Sequence, residues 1–123
     1  MTALAHRNPG VVGAALSDER VSCELIADTF HVSPGLYKMI AKAKGDKFCL
    51  ITDCMRAGGL ADGEYDLGGQ PVYVKDGKAL LADGTIAAST SNIHEEFKNV
   101  VSYGIPLKQA IKSATINPAK AIR

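Results

Sequence analysis

The chain contains no Trp, and aromatic residues make up only 6% of it, so it offers no stacking platform for bases or sugar rings. An excess of one charge sign is missing as well. Fourteen basic residues meet thirteen acidic ones for a net charge of +1, and no basic cluster marks a nucleic-acid footprint. No apolar run approaches the roughly 18 residues of a membrane span. The opening MTALAHRNPG lacks the basic-then-apolar order of a signal peptide. The three cysteines, Cys23, Cys49 and Cys54, show neither CxxC nor any zinc-ligand spacing. Cys23 and Cys49 lie in apolar strand-like runs, where free Cys behaves as a small buried hydrophobe. Cys54 reads as packing at a strand end rather than as a nucleophile. A reducing, cytoplasmic setting follows.

At 123 residues, with 46% hydrophobic and 22% charged, the chain suits one α/β domain with a core of its own. It is too short for a complete (β/α)8 barrel of about 250 residues. The most informative stretch is KFCLITDCMRAGG, Lys47 to Gly59. Phe48 to Ile51 form an unbroken apolar run, as expected of a strand buried on both faces of a parallel sheet. The run stops at Thr52-Asp53. A carboxylate where such a strand ends is where barrel and doubly wound enzymes keep their chemistry.

Upstream, HRNPG (His6 to Gly10) is a turn, and Pro9 opens the short helical segment GVVGAAL. VSCELIADTFHV (Val21 to Val32) reads as a strand with polar residues at its carboxyl end. Ser33-Pro34 predicts a helix start, with Ser33 as cap. Leu36, Met39, Ile40 and Ala43 fall at helical spacing, and Gly45 supplies a stop. A helical connection lets the two strands lie parallel, which places His31 and Asp53 on one rim of the sheet.

After Gly59 the period changes. Asp76-Gly77 stands between two short strand-like runs in 71–85, a two-residue hairpin signal. Ile93, Phe97, Val100 and Val101 form a helical stripe, with Glu95, Glu96 and Lys98 read as off it. Gly104 ends that helix. A last helix is expected from Pro106 to about Ile116, burying Leu107, Ala110, Ile111 and Ala114, with Asn117-Pro118 as its stop. There is no internal repeat or linker.

Asp53 can shuttle protons or bind a metal, or can cap the turn that follows it. His31 can orient a substrate, although a packed, hydrogen-bonded His is the commoner case. Asp28 can tie down the strand–helix connection. Arg7 suits phosphate or carboxylate binding, while a solvated surface Arg is more usual. His6 and His94 have weaker claims. The glycines of RAGGLADGEYDLGG match no phosphate-cradling motif and serve turns.

Taken together, HRNPGVVGAA, ELIADTFHVSP, LITDCMRAGGLADGEYDLGG and SATINPAKAI resemble the C-terminal part of N-acetylglucosamine-6-phosphate deacetylases, members of the amidohydrolase superfamily. The resemblance spans Met1 to Arg123. It implies a partial (β/α)8 barrel, made of the last two barrel strands with their helices plus a β-hairpin insertion. It also implies hydrolysis of the acetamide of N-acetylglucosamine 6-phosphate to glucosamine 6-phosphate and acetate. By resemblance, Asp53 is the catalytic Asp, which takes a proton from a metal-activated water and passes it to the departing amine. Asp28, Thr29, Phe30 and His31 form the substrate-binding turn usually written ADGxH. Arg7 holds the sugar phosphate, supplied in the family from the neighbouring subunit of a dimer. Ile86, Ala87 and Ala88 match a segment whose backbone lines the sugar site.

Two departures stand out. Thr29 replaces the usual Gly of ADGxH, and STSNIHEEFKN replaces the more familiar SxLTMxxAVRN. Met1 aligns with the Met of an HxxNAM motif, so the family's metal ligands, a Glu and two His that bind Zn or Fe, are expected before Met1. The strands that return after NPAxAIG are not present. Two functional readings result. One is a C-terminal portion of the deacetylase that carries its acid/base group but holds no metal tightly and is inactive alone. The other is a non-catalytic barrel module that self-associates or binds sugar phosphate.

Overall fold

The computed structural model describes residues 3–122; Met1, matched above to the HxxNAM motif, lies outside them, as do Thr2 and Arg123. Helix α1 (Gly10–Ser17) leads into strand β1 (Cys23–Leu25), and α2 (Tyr37–Lys44) leads into β2 (Phe48–Leu50). The two strands pair in parallel, Cys23 opposite Phe48, Glu24 opposite Cys49 and Leu25 opposite Leu50. One further bond, from the Ile51 N–H to the Leu25 carbonyl at 3.1 Å, extends the ladder. The expected order of helix, strand, helix, strand and the parallel pairing are both present. All three residues of β2 are buried.

The first strand is much shorter than Val21 to Val32. It ends at Leu25 because Asp28 draws the chain into a turn. Its Oδ1 accepts from the N–H groups of Phe30 and His31, both at 2.9 Å, and these amides are lost to a sheet. Ser33 makes no side-chain capping bond; Pro34–Leu36 form a single 3-10 turn ahead of α2. Gly45, at φ +51, closes α2.

The buried face of α2 also differs from its apolar stripe. Tyr37, Ala41 and Lys44 are buried, whereas Leu36 and Met39 are exposed. The stripe of Leu36, Met39 and Ile40 instead lines an apolar groove with Val11, Val12 and Leu16 of α1. Lys44 is buried with its ammonium used: Nζ donates to the carbonyls of Ala15 and Asp18, at 2.8 and 2.7 Å. This satisfies acceptors at the end of α1 that have no partner within the helix.

A four-stranded antiparallel sheet follows, in the order β3 (Gly63–Leu67), β4 (Gln70–Lys75), β5 (Lys78–Leu80), β6 (Ile86–Ala88). Asp76 and Gly77, both at positive φ, join β4 to β5 with Lys75 opposite Lys78. GEYDL, to which the sequence pattern assigns no strand, is strand β3. Val72 and Val74 alternate inward from β4 and pack with Met55, Ala57, Ala79 and Ala88 in one core. Leu25, Ala27, Tyr37, Phe48 and Leu50 pack with Val100, Ile105 and Ala110 in another.

Helices α3 (Ile93–Ser102), α4 (Leu107–Ala114) and α5 (Ile116–Ala121) complete the chain. Asn92 caps α3, its side chain accepting the Glu95 N–H at 3.0 Å. Gly104, at φ +85, follows its end. On α4 the buried residues are Ala110 and Ser113, while Leu107 and Ile111 are exposed. Asn117-Pro118 does not stop the helix. The break falls at Thr115, and Pro118 is accommodated in the first turn of α5, where its missing N–H is not needed. Asn117 is buried and donates to the Phe48 carbonyl at 2.8 Å, which anchors α5 to β2.

Lys44→Met removes both hydrogen bonds that dock α1 on α2. We expect a loss of about 2 kcal/mol in unfolding free energy, with faster amide exchange throughout α1. Unchanged urea unfolding and α1 protection would contradict this account.

Candidate functional site

The two turns that hold the candidate residues follow the carboxyl ends of the paired strands, so the ladder delivers Asp28–His31 and Asp53 to the same rim. Each turn contains a residue in the left-handed region, Thr29 at φ 69 and Asp53 at φ 47. Asp tolerates this conformation; a β-branched Thr is a true outlier there. The Gly of ADGxH would adopt it freely. Thr29 therefore keeps the turn but strains it. Its amide donates to the Tyr37 hydroxyl at 3.0 Å, which helps to hold the turn in place.

Asp28 and His31 form one unit. Asp28 Oδ2 lies 2.7 Å from His31 Nδ1, and the two side chains are 13% and 16% exposed. Burial pushes the Asp28 carboxyl up, but the His31 N–H, the His31 ring and the Phe30 N–H outweigh it and hold the group below the ordinary carboxylate range. An ionised Asp28 fixes Nδ1 as the protonated ring nitrogen and leaves Nε2 available. Phe30 packs edge-on against the His31 ring at 5.8 Å, and the Lys78 ammonium sits 4.9 Å above the Phe30 ring. Asp28, Thr29 and Phe30 line a polar cleft of about 350 Å³ with Lys78, Ser91 and Asn99. His31 borders the apolar groove, about 520 Å³, on the α1/α2 side.

Asp53 is exposed and lies where the two cores meet. Its carbonyl accepts the Ser89 N–H at 3.1 Å, and the Ser89 carbonyl accepts the Met55 N–H at 2.9 Å. Ser89 directly follows β6, so Ile86, Ala87 and Ala88 are brought to the Asp53 segment. β6 is an edge strand of its sheet, which leaves backbone groups on its outer side for other partners. Cys54 bonds through Sγ to the Met55 carbonyl. Burial first, then the Glu96 charge, pushes its thiol up, opposite to the shift that activates a nucleophile.

Arg7 is exposed in the turn closed by Ala5 and Asn8. No hydrogen bond or ion pair among the described residues ties it to Asp28, His31 or Asp53. His6 and His94 are exposed as well. Among the described residues no three His, Cys, Asp or Glu side chains converge so as to hold a metal ion. The described residues do not fit a metal site of their own.

Glu96 was read as lying off the α3 stripe, yet it is 0% exposed. Its Oε2 accepts the Ala27 N–H at 2.9 Å, while Oε1 is buried without a partner. Asn99, one turn on, donates to the Ala27 carbonyl at 2.8 Å. Burial pushes the Glu96 carboxyl up to about 7; the Ala27 N–H opposes this, Asp28 adds to it, and Ser91 and His31 oppose it. The signal was in the spacing. Glu96 stands four residues before Val100, on the face that turns inward, whereas Ile93 at the head of the expected stripe is exposed.

The folded chain thus keeps the Glu96 proton to a higher pH than the unfolded chain does. The stability linked to that proton is complete below about pH 4.5 and is lost as pH rises through about 7. Compared with Glu96→Gln, the native chain is expected to lose on the order of 2 kcal/mol across this window. Urea unfolding of both proteins at a series of pH values checks it, and parallel profiles would refute it.

No protein-family model matches the chain. A protein of Escherichia coli K12, provisionally named an N-acetylgalactosamine-6-phosphate deacetylase, is 39% identical over 123 residues, covering 99% of this chain and 74% of that protein. The N-acetylglucosamine-6-phosphate deacetylase of Vibrio furnissii is 38% identical over 99% of this chain, which spans only 31% of it. Among solved structures, an N-acetyl-D-glucosamine-6-phosphate deacetylase variant from Mycobacterium smegmatis, in complex with N-acetyl-D-glucosamine 6-phosphate, matches with a TM-score of 0.93. Its identity is 38%, over 98% of this chain and 34% of that one. The deacetylase of Thermotoga maritima matches with a TM-score of 0.90 and 36% identity, over 97% of this chain and 33% of that one. The matches fall on the C-terminal portion of these proteins. By sequence and by fold, the chain belongs to the N-acetylglucosamine-6-phosphate deacetylase family.

Proposed function

We propose that this chain carries the proton-transfer and substrate-orienting part of an amino-sugar-phosphate deacetylase, and that its two strands correspond to the last two of a (β/α)8 barrel. The observation that carries the reading is the parallel β1/β2 ladder, which sets the Asp28–His31 pair and Asp53 on one rim. The substrate is N-acetylglucosamine 6-phosphate and the products are glucosamine 6-phosphate and acetate.

Asp53 accepts a proton from the attacking water and delivers it to the amine as the C–N bond breaks. His31, with Nδ1 engaged by Asp28, directs Nε2 at the substrate. Asp28, Thr29 and Phe30 shape the turn around it. The backbone of Ile86, Ala87 and Ala88 borders the sugar, and Arg7 binds the phosphate of a substrate held by a second copy of the chain in a dimer. A divalent cation, Zn or Fe, is the group expected to supply water activation in such an enzyme; no three described side chains converge to hold one. The unpaired cysteines suit a cytoplasmic setting, and among the described residues no helix is long and apolar enough to cross a membrane.

A second reading, a module that works by association, rests on the apolar groove and on the unpaired outer edge of β1. Light scattering separates the two. A self-associating chain that takes up no sugar phosphate favours the module.

Two outcomes are expected. The 123-residue chain supplied with Zn²⁺ or Fe²⁺ does not hydrolyse N-acetylglucosamine 6-phosphate, because a lone carboxylate cannot acidify water as a bound cation does. Release of acetate at an ordinary enzymatic rate, about 1 per second or faster, would overturn this. When the chain replaces the matching portion of the Thermotoga maritima deacetylase, Asp53→Asn lowers kcat by about 100-fold to 10,000-fold. His31→Asn mainly raises KM. A chimera with Asn at position 53 that retains full kcat would remove Asp53 from the mechanism.

A further inference from the structure

The turn that carries His31 is held from outside by a residue that the proposed chemistry does not use. Ala27, the last residue before Asp28, is gripped on both backbone groups by α3: Glu96 Oε2 takes its N–H at 2.9 Å and Asn99 Nδ2 donates to its carbonyl at 2.8 Å. Two residues later Thr29 sits at φ 69, a conformation that a β-branched residue keeps only when its surroundings over-determine it. Tyr37 supplies another restraint, accepting the Thr29 N–H at 3.0 Å. The unusual Thr and the unusual Glu are therefore neighbours in space. STSNIHEEFKN set against SxLTMxxAVRN puts Glu96 at the Ala of that pattern.

We propose that Glu96 is a positioning residue: its buried carboxyl, through the Ala27 N–H, locks the strained Thr29 turn so that Asp28 and His31 keep their shared geometry. The proposal deepens the reading that His31 faces substrate, and rests on it. It also accounts for a feature that packing alone does not explain. A buried carboxyl with an unpartnered Oε1 is an expensive filler beside Val100 and Phe97, and an Ala would fit an apolar seam more cheaply. The titratable groups that sense Glu96 come from each surrounding element: Asp28 and His31 on the turn, Tyr37 on α2 and Cys54 after β2. Ser91 faces it from the segment before α3.

NMR of the whole chain tests this without substrate or turnover, so it stands or falls separately from the deacetylase reading. In the native chain the amides of Thr29, Phe30 and His31 should show dispersed shifts and slow exchange. In Glu96→Gln, which keeps an acceptor for Ala27, those shifts should be retained. In Glu96→Ala, which removes the acceptor, they should be lost. Adding Thr29→Gly, which removes the strain, should restore them. Dispersed shifts that survive in Glu96→Ala overturn the proposal. So does a Glu96→Ala defect that Thr29→Gly does not relieve. If Glu96→Ala fails to fold, Glu96→Gln decides, and loss of the dispersed shifts there overturns the proposal.

Discussion

Pairing of Cys23–Leu25 with Phe48–Leu50 is the constraint on which the rest depends. The ladder is short, but β2 is buried along its whole length: α2 and α4 pack on it, and Asn117 reaches the Phe48 carbonyl from α5. Because the strands run parallel, whatever follows each of them emerges at the same rim. Two turns that are remote in sequence become neighbours without any direct bond between their side chains. Moving either strand by one residue would turn Leu25 and Leu50 out of the core, so apolar burial also fixes where the polar residues stand.

The organisation around this pair was legible where local chemistry and burial agree. Phe48–Leu50 read as a buried strand because nothing in them is polar. Asp76-Gly77 read as a hairpin turn because both positions demand positive φ. Legibility failed where a polar residue was buried by tertiary contact. Lys44 and Glu96 look like surface residues until their partners are known, which for Lys44 are carbonyls of α1 and for Glu96 an amide of β1's extension. The face of α2 was misassigned for the related reason that Leu36 and Met39 line an open groove while a Tyr and an Ala fill the core. Pro118 misled because a proline ends one helix and begins another with equal ease.

For the site, Asp53, Asp28 and His31 could be singled out from their positions at strand ends. Their shared rim was deducible from topology alone. The clamp on Ala27 was not, since it joins residues 69 and 72 positions apart, and no short-range pattern announces such a contact. Arg7 stands apart from these groups. The role proposed for it is played toward a second copy of the chain, and so belongs to an assembly rather than to this fold.

The left-handed backbone at Asp53 has a consequence for how freely position 53 can vary. The proposed chemistry asks for a carboxylate there, and the backbone asks for Gly, Asn or Asp. Only Asp meets both demands. Glu keeps the charge but not the local tolerance, Asn keeps the tolerance but not the charge, and Gly keeps neither the charge nor a side chain. Two unrelated filters thus converge on one amino acid. Along any path of single substitutions this site has no neutral neighbour, whereas at Thr29 a single step to Gly relaxes the backbone and removes nothing that reacts.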